Sequence, residues 1–277
     1  MGKDRRILRG ALRAKVMRAV DEIVTRRVDD QTAALRAEIA ALRTDLTDVV
    51  GRSQDAVVAE LRAAERRSRR DLVAAGERAA VVSTSRFVEE QMRDAIALPD
   101  AAATLDHAIA KAPSGGLALE FGVYTGGTLT RIADARAGDP GAVAGFDSFD
   151  GLPETWRAGF REGVFDDVTA PPDVPGAEIV VGLFADTLPG FLDAHPGPVD
   201  LLHLDADLYS STATVLDLVG PRLRPGSVVL FDEFFNYPGW EQHEARAWRE
   251  YVDVSGCTFA WEAYTVADEQ VVVRVTG

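Results

Sequence analysis

The stretch "LALEFGVYTGGTLTRIA", residues 117–133, joins an apolar segment to a glycine-containing turn and then to a second amphipathic segment. The part ending at Glu120 predicts a buried β-strand, and the part from Gly127 onward predicts a helix. A phosphate-binding loop would end in Lys-Ser or Lys-Thr, and a dinucleotide fingerprint would read G-x-G-x-x-G. The turn has neither pattern. We therefore interpret it as a binding turn of another kind, with a purely structural strand-to-helix turn as the alternative.

Strand and helix patterns alternate from this turn to the end of the chain. The repetition predicts an α/β fold, doubly wound, with a mostly parallel sheet covered by helices on both faces. The last two strands are close in sequence, so we expect a hairpin that makes the final strand antiparallel. Ligands of such sheets bind at the carboxyl ends of the strands. The residues at those ends are Glu120, Phe146, Gly182, Asp205 and Asp232.

Two acids follow the first two strands and suggest a cofactor. Glu120 would repel a pyrophosphate but attract an amino group, and Asp147 can bind two ribose hydroxyls. This pair suits a nucleoside that carries a cationic amino acid, so we predict S-adenosylmethionine as the cofactor. The predicted cofactor-binding residues are Glu120, Gly122, Tyr124, Thr125, Asp147, Ser148, Phe184 and Asp186. For Phe184 and Asp186, a core ring and a helix N-cap are the alternatives.

Four segments resemble the class I methyltransferases related to macrocin O-methyltransferase. They read "LEFGVYTGGTL", "GFDSFDGLPETW", "LLHLDADLYSST" and "FDEFFNYPGW", in the family's order. The resemblance covers residues from near 100 to 277 and implies a seven-stranded methyltransferase fold with S-adenosylmethionine as methyl donor. Because some relatives use a metal and methylate sugar hydroxyls, it implies O-methylation of a sugar or other small-molecule natural product. Glu233 stands where the macrocin-type pattern usually has a second aspartate.

Three carboxylates at neighbouring strand ends form a candidate metal site. Asp205 ends the fourth strand, while Asp232 and Glu233 end the fifth. Neighbouring strands lie about 4.8 Å apart, so these oxygens can share one hard cation, most simply Mg²⁺. A bound cation would lower the pKa of a substrate hydroxyl, which makes Asp205 a candidate catalytic residue as well. Helix capping or cofactor binding alone is the alternative.

Two histidines are further catalytic candidates. His203 alternates onto the same strand face as Asp205, and a buried structural histidine is the alternative. His243 follows the fifth strand and suits a base near the substrate, although a surface helix position is equally ordinary. Asp207 would point to the opposite side from Asp205 if the strand continued that far.

The segment over residues 151–176 is a long connection rich in glycine, proline and aromatic residues. Connections of this length are often lids over a site. We expect Trp156, Phe160 and Phe165 to exclude water and shape the acceptor pocket. An inert loop anchored by the same rings is the alternative.

Composition divides the chain near Leu98. Every proline lies from Pro99 onward, and Phe87 is the only aromatic residue before it. Residues 1–95 carry a net charge of +4 and the rest a net charge of −18. We therefore predict a helical arm over 1–95 and a methyltransferase domain over 96–277. A 4-3-4-3 spacing of apolar residues over 35–49 predicts a coiled-coil segment and self-association as a homo-oligomer; packing on its own domain is the alternative.

The sequence also restricts the location and the partners that we expect. The lone Cys257 excludes an intrachain disulfide, and the sequence shows neither a secretory signal nor an apolar run long enough to span a membrane. We expect a cytoplasmic protein that does not bind nucleic acid through its acidic part. Two other functions stay open: a glycosyltransferase using "DAD" at 205–207 as a D-x-D metal motif, and a non-catalytic oligomeric scaffold.

Overall fold

The computed structural model describes residues 2–168 and 170–277, with side chains from residue 12 onward. The predicted arm and the predicted lid each include one residue, at 1 and 169, that lies outside this part. The described chain falls into two units, one ending at Asp71 and the other spanning Leu72–Gly277. The first unit consists of helix α1, Gly2–Arg70, whose Ala-, Arg-, Glu- and Leu-rich sequence favours helix throughout.

The second unit is an α/β domain built on one sheet. Within the described residues the sheet has eight strands in the order β1-β7-β8-β6-β5-β2-β3-β4. They are β1 Ile96–Leu98, β2 Leu117–Phe121, β3 Val143–Asp147, β4 Glu178–Val181, β5 Val199–Leu204, β6 Leu223–Phe231, β7 Phe259–Thr265 and β8 Val271–Val275. The helices are α2 Leu72–Gln91, α3 Ala101–Lys111, α4 Gly127–Ala135, α5 Phe184–Ala194, α6 Tyr209–Val219 and α7 Glu244–Ser255. Short 3₁₀ turns span Gly220–Arg222 and Trp240–Gln242.

The predicted fold class is confirmed. All neighbouring strands are parallel except β8, which runs antiparallel to both β6 and β7. The sheet has one strand more than the seven that the resemblance implied. The additional strand, β1, has three residues and pairs with β7 at the sheet edge. So short a segment carries too little periodicity to be recognised in the sequence.

Both faces of the sheet are covered, which is what near-continuous apolar strands require. All six residues of β5 and all five of β2 are buried. One face holds a large aromatic core in which the rings of Phe121 and Phe146 stack at 4.7 Å between centroids. The opposite face packs against aliphatic residues that include Leu129 and Ile132 of α4.

Helix α2 belongs to the second unit, although composition predicts residues 72–95 to be part of the arm. Trp240 donates from Nε1 to Ser83 Oγ at 2.9 Å, and the backbone N–H of Asn236 donates to Thr84 Oγ1 at 2.9 Å. The ring of Phe87 also packs edge-on against Trp240 at 5.3 Å. The structural boundary is therefore at Asp71, because composition marks where prolines and aromatic rings begin and not which helix packs on the domain.

Among the described residues, no helix combines the length and apolar character that crossing a membrane requires.

Candidate functional site

A cavity of about 450 Å³ opens at the carboxyl ends of the parallel strands. Its size is in the range of small-molecule sites. The turns after β2, β3, β4, β5 and β6 all contribute to its wall, as the strand-end rule for such sheets predicts. The residues that line it include Gly122, Tyr124, Asp147, Ser148, Phe165, Phe184, Asp205, Asp207, Ser210, Ser211, Thr214 and Glu233.

The glycine turn after β2 owes its shape to close contact with the end of β5. Gly122 has φ +98°, and a Cβ there would lie 1.8 Å from the carbonyl oxygen of Asp205. Only glycine fits this position. Tyr124 follows with φ 46°, also in the left-handed region, which non-glycine residues seldom adopt outside turns and functional sites. The turn therefore carries backbone strain beside the cavity.

Asp147 holds this turn in place. Its Oδ2 accepts hydrogen bonds from the backbone N–H groups of Val123 at 2.8 Å and Tyr124 at 2.9 Å. Its Oδ1 accepts from the N–H of Phe149 at 2.8 Å. An ionised carboxylate has about four acceptor positions, so one remains for a ligand in the cavity. Ser148, next in sequence, also lines the cavity.

The other predicted cofactor residues divide into two groups. Gly122, Tyr124 and Phe184 line the cavity, and Phe184 rests edge-on against Phe121 at 5.2 Å. Thr125 and Asp186 are exposed and lie outside the described cavity wall. Asp186 is in the first turn of α5, where its charge favours the helix N-terminus.

Glu120 differs most from its predicted role, because its side chain is fully buried rather than open to a ligand. Its Oε2 lies 3.0 Å from Nδ1 of His203, and its Oε1 accepts from Thr128 Oγ1 at 3.1 Å. Among the described residues it is not part of the cavity wall. The Glu120 carboxylate therefore links α4, the helix that follows the glycine turn, to strand β5.

The predicted carboxylate triad is brought together. One oxygen each from Asp205, Asp232 and Glu233 lies within 4.8 Å of the others. Burial and repulsion from neighbouring acids raise the pKa of both Asp205 and Glu233 well above their ordinary values. Oε2 of Glu233 is buried with no hydrogen-bond partner among the described residues. Close carboxylates with a spare buried oxygen fit a hard divalent cation, which prefers oxygen ligands.

His203 lies behind this triad and is 1% exposed. Its Nδ1 contacts Glu120, and its Nε2 is 3.6 Å from Oδ1 of Asp232. Burial favours the neutral ring, but the contacts with Asp232 and Glu120 outweigh it and raise the histidine's pKa. Burial alone would raise the pKa of Asp232, but its contact with His203 lowers that pKa below the ordinary value. His203 is thus a buried, partnered histidine, outside the described cavity wall.

His243 also lies outside that wall. Its ring packs against Trp156 at 6.4 Å and Tyr237 at 5.9 Å between centroids. Burial, followed by the charge of Arg157, lowers the pKa of His243. Its Nδ1 is buried without a hydrogen-bond partner among the described residues.

Two further acids stand out: Asp207, which was expected to point away from Asp205, and Glu244, for which no role was predicted. Asp207 is 7% exposed and has φ 59°. It lines the cavity because strand β5 ends at Leu204 and the chain turns before it reaches Asp207. Burial raises the pKa of Asp207 to about 7, opposed by Arg157. Glu244 is fully buried and accepts from the backbone N–H of Glu233 at 3.1 Å. No sequence pattern distinguishes Glu244 from an ordinary acid in the first turn of a helix.

The segment predicted as a lid is tied to the domain at several points. The Arg157 guanidinium lies over the ring of Trp156 at 3.9 Å and over Tyr237 at 4.4 Å, and it pairs with Glu269 at 2.9 Å. Trp156 and Phe160 pack in this cluster.

The outer part of the same segment reaches the cavity. Phe165 lines the cavity beside the ring of Tyr124, 5.9 Å away between centroids. The Tyr124 hydroxyl donates to Asp167 at 2.8 Å, and Ser210 Oγ donates to Glu154 at 2.6 Å. These contacts connect the segment to both the glycine turn and the start of α6.

Comparison with known proteins shows which family this part of the chain resembles. Residues 119–234 match a family described as a methyltransferase domain. A curated relative from Streptomyces olivaceus, 8-demethyl-8-(2,3-dimethoxy-alpha-L-rhamnosyl)-tetracenomycin-C 4'-O-methyltransferase, is 30% identical over 146 residues. That alignment covers 42% of this chain and 52% of the relative, so the chain spans about half the length of the curated protein it matches.

Solved structures resemble the same domain. The calicheamicin methyltransferase CalS11 is 24% identical with a TM-score of 0.49, and the alignment covers 62% of this chain and 76% of that one. The O-methyltransferase NovP is 20% identical with a TM-score of 0.44, covering 63% and 80%. The resemblance to class I methyltransferases noted in the sequence is confirmed by the family match.

Proposed function

We propose that this protein is an S-adenosylmethionine-dependent O-methyltransferase, because residues 119–234 match a family described as a methyltransferase domain. The observation that carries the proposal is a coincidence of position. The cavity residues from Gly122 to Glu233 all fall inside the matched segment, at the strand ends where such sheets bind ligands.

The cofactor half of the cavity is formed by the turns after β2, β3 and β4. S-adenosylmethionine supplies the methyl group when bound there. Asp147, at the end of β3, has an acceptor position left for a ribose hydroxyl, and its three backbone contacts fix its direction. Phe184 offers an aromatic ring on the same wall for an adenine. The glycine turn, which Asp147 holds through two hydrogen bonds, would contact the ligand's other end.

The acceptor half adjoins the carboxylate triad. Asp205, Asp232 and Glu233 are the residues that would hold a divalent cation, most simply Mg²⁺. The cation would lower the pKa of a hydroxyl and orient it. His203 restrains Asp232 from behind, and Glu120 restrains His203. Asp205 reaches the cavity directly and is the first candidate to hold the hydroxyl proton.

The acceptor we propose is a hydroxyl of a sugar or other small-molecule natural product. The curated relative is named as a methyltransferase acting on a rhamnosyl group. Ser210, Ser211 and Thr214 of α6 line the cavity, and Phe165 adds an apolar surface beside Tyr124 of the glycine turn. Hydroxyl side chains and an aromatic ring in one cavity suit a sugar, which has both polar and apolar surfaces.

We also propose a cytoplasmic location and an acceptor that is not a nucleic acid. A single cysteine accords with a reducing compartment such as the cytoplasm. The net charge of −18 on residues 96–277 disfavours nucleic acid as an acceptor.

Two titrations test the proposal on the purified full-length protein. We expect S-adenosylhomocysteine to bind in a calorimeter and a nucleoside diphosphate not to bind. The reverse result would favour the glycosyltransferase interpretation of "DAD" and overturn the methyltransferase. We expect Mg²⁺ to raise the unfolding temperature of the wild type but not of Asp205→Asn, while both proteins bind S-adenosylhomocysteine equally. If both proteins responded alike to Mg²⁺, the triad would not be the metal site.

A third experiment measures methyl transfer itself. Isotope-labelled S-adenosylmethionine, incubated with the enzyme and an extract of small molecules, should yield labelled products detectable by mass spectrometry. Excess chelator should suppress the label at least about tenfold by removing the cation, and added Mg²⁺ should restore it. Full labelling in chelator would exclude a metal requirement and leave Asp205 acting alone on the hydroxyl.

A further inference from the structure

Helix α1 carries an apolar seam, defined here as Val28, Leu35, Ile39, Leu42, Leu46 and Val49. All six side chains are between 51% and 64% exposed. Single exposed apolar residues are ordinary, but a stripe repeating at 4-3-4-3 spacing on one face of a helix is the pattern of a coiled coil. We propose that this seam binds a second copy of the same chain in a parallel, in-register coiled coil.

The residue types at the seam favour two strands. In heptad notation Ile39 and Leu46 occupy a positions, while Leu35, Leu42 and Val49 occupy d positions. A β-branched residue at a combined with leucine at d favours a dimer, and the central Ile39–Leu42 layer pair has this arrangement. The seam is three heptads long. This length is enough for specific pairing because α1 is already helical in the single chain.

Charges beside the seam decide the orientation. Arg36 and Arg43 occupy e positions, while Glu38 and Asp45 occupy g positions. In a parallel pair each g residue meets the e residue of the next heptad, so Glu38 meets Arg43 of the second copy, twice by symmetry. In an antiparallel pair e meets e and g meets g. Arginines would then face arginines and acids would face acids, so the charges select the parallel form.

Polar residues at two a positions decide the register. Thr32 lies between Val28 and Leu35, and Ser53 follows Val49. A slip of one heptad would place Ile39 against Thr32 and Leu46 against Ser53. Each slip therefore replaces apolar layers by mixed ones, and the in-register dimer keeps the most apolar contact. The seam lies in the unit that ends at Asp71, so this proposal is independent of the proposed methyl transfer.

The first test is the mass of the full-length protein in solution by light scattering. We expect a dimer for the wild type, and a monomer for Leu42→Lys, which places a charge in the seam. The matched control is Ala41→Lys, one residue away at an outer c position, which should remain dimeric. Circular dichroism should show the same helix content for both variants. A monomeric wild type, or equal masses for the two variants, would overturn the proposal.

The second test reads the orientation by cross-linking. In a Cys257→Ser background, Leu35→Cys and Val49→Cys place single cysteines about 21 Å apart along the helix, at about 1.5 Å per residue. Parallel, in-register helices bring each position against its own copy, so both variants should form disulfide-linked dimers under mild oxidation. Antiparallel helices would allow at most one of the two. Ala41→Cys, on the outer face, is the control that should not cross-link.

A charge reversal gives a third, independent measurement. Glu38→Arg should weaken dimerisation about three- to tenfold, because two attractive contacts become repulsive. The double variant Glu38→Arg with Arg43→Glu should recover most of the affinity. An antiparallel dimer would respond in the opposite way, since Glu38→Arg would then relieve repulsion between g residues and strengthen association.

Discussion

Glu120 and His203 lie opposite each other in the register of strands β2 and β5, and Nδ1 of His203 is 3.0 Å from Oε2 of Glu120. Both side chains are almost completely buried. The pair joins the two halves of the site, because Glu120 also accepts from Thr128 of α4 while His203 approaches Asp232 of the carboxylate triad.

Removing the histidine should destabilise the domain. His203→Leu leaves the Glu120 carboxylate buried and without its ring partner, and breaking such a pair costs about 3–5 kcal/mol. His203→Gln, which keeps a donor, should cost less. Thr128→Val removes a single hydroxyl hydrogen bond to the same carboxylate and should cost about 1.5–3 kcal/mol. Urea unfolding of the three variants measures these differences. Equal stability of His203→Leu and the wild type would show that the pair contributes nothing.

The metal-free protein should become less stable as pH rises from 3.8 to about 7, the range over which Asp207 titrates differently in the folded and unfolded states. Burial and mutual repulsion raise the pKa of four acids around the triad: Asp205, Asp207, Glu233 and Glu244. A carboxyl group with a raised pKa binds more protons in the folded state than in the unfolded state, so the free energy of unfolding falls with rising pH between the two values. For Asp207 that window runs from 3.8 to about 7. The lowered pKa of Asp232 acts in the opposite sense and below this range.

Denaturant midpoints in chelator at several pH values test this expectation. Asp207→Asn keeps the shape of the side chain, and asparagine tolerates the left-handed backbone found there. This variant should therefore show a shallower loss of stability across the window than the wild type. A wild-type profile that rises over the same range would mean that these acids are ionised without penalty in the folded protein.

Asp147 and Asp186 were both predicted to contact the cofactor, and the structure separates them. Asp147→Asn should weaken S-adenosylhomocysteine binding at least about tenfold, because the amide offers one acceptor oxygen where the carboxylate offers two. Asp186→Ala should change the affinity less than about twofold, the scale expected for a surface side chain away from the site. Calorimetric titration of both variants decides the matter. A strong effect of Asp186→Ala would place it in contact with the ligand after all.

Two glycines of the same turn should respond oppositely to alanine. Gly122→Ala would drive a methyl group into the carbonyl of Asp205, 1.8 Å away, at φ +98°. We expect a loss of more than about 3 kcal/mol or a failure to fold. Gly127, the first residue of α4, has open space where the alanine methyl would lie, with no heavy atom within 4 Å. Gly127→Ala should stabilise the domain by about 0.5–1 kcal/mol. Similar unfolding midpoints for both variants would contradict this account of the turn.

Periodicity along the chain is enough to predict the fold class, the strand ends at which the cavity lies, and the grouping of Asp205, Asp232 and Glu233, because parallel strands end at one edge of a sheet. The pairing of Glu120 with His203 could not be predicted in this way, since it depends on β2 lying beside β5 in register. The same is true of Asp207 on the cavity wall and of Glu244 against Glu233. A sequence pattern reports how each segment alternates between buried and exposed faces. Which buried side chain meets which is fixed by strand order and register, and these are properties of the whole fold.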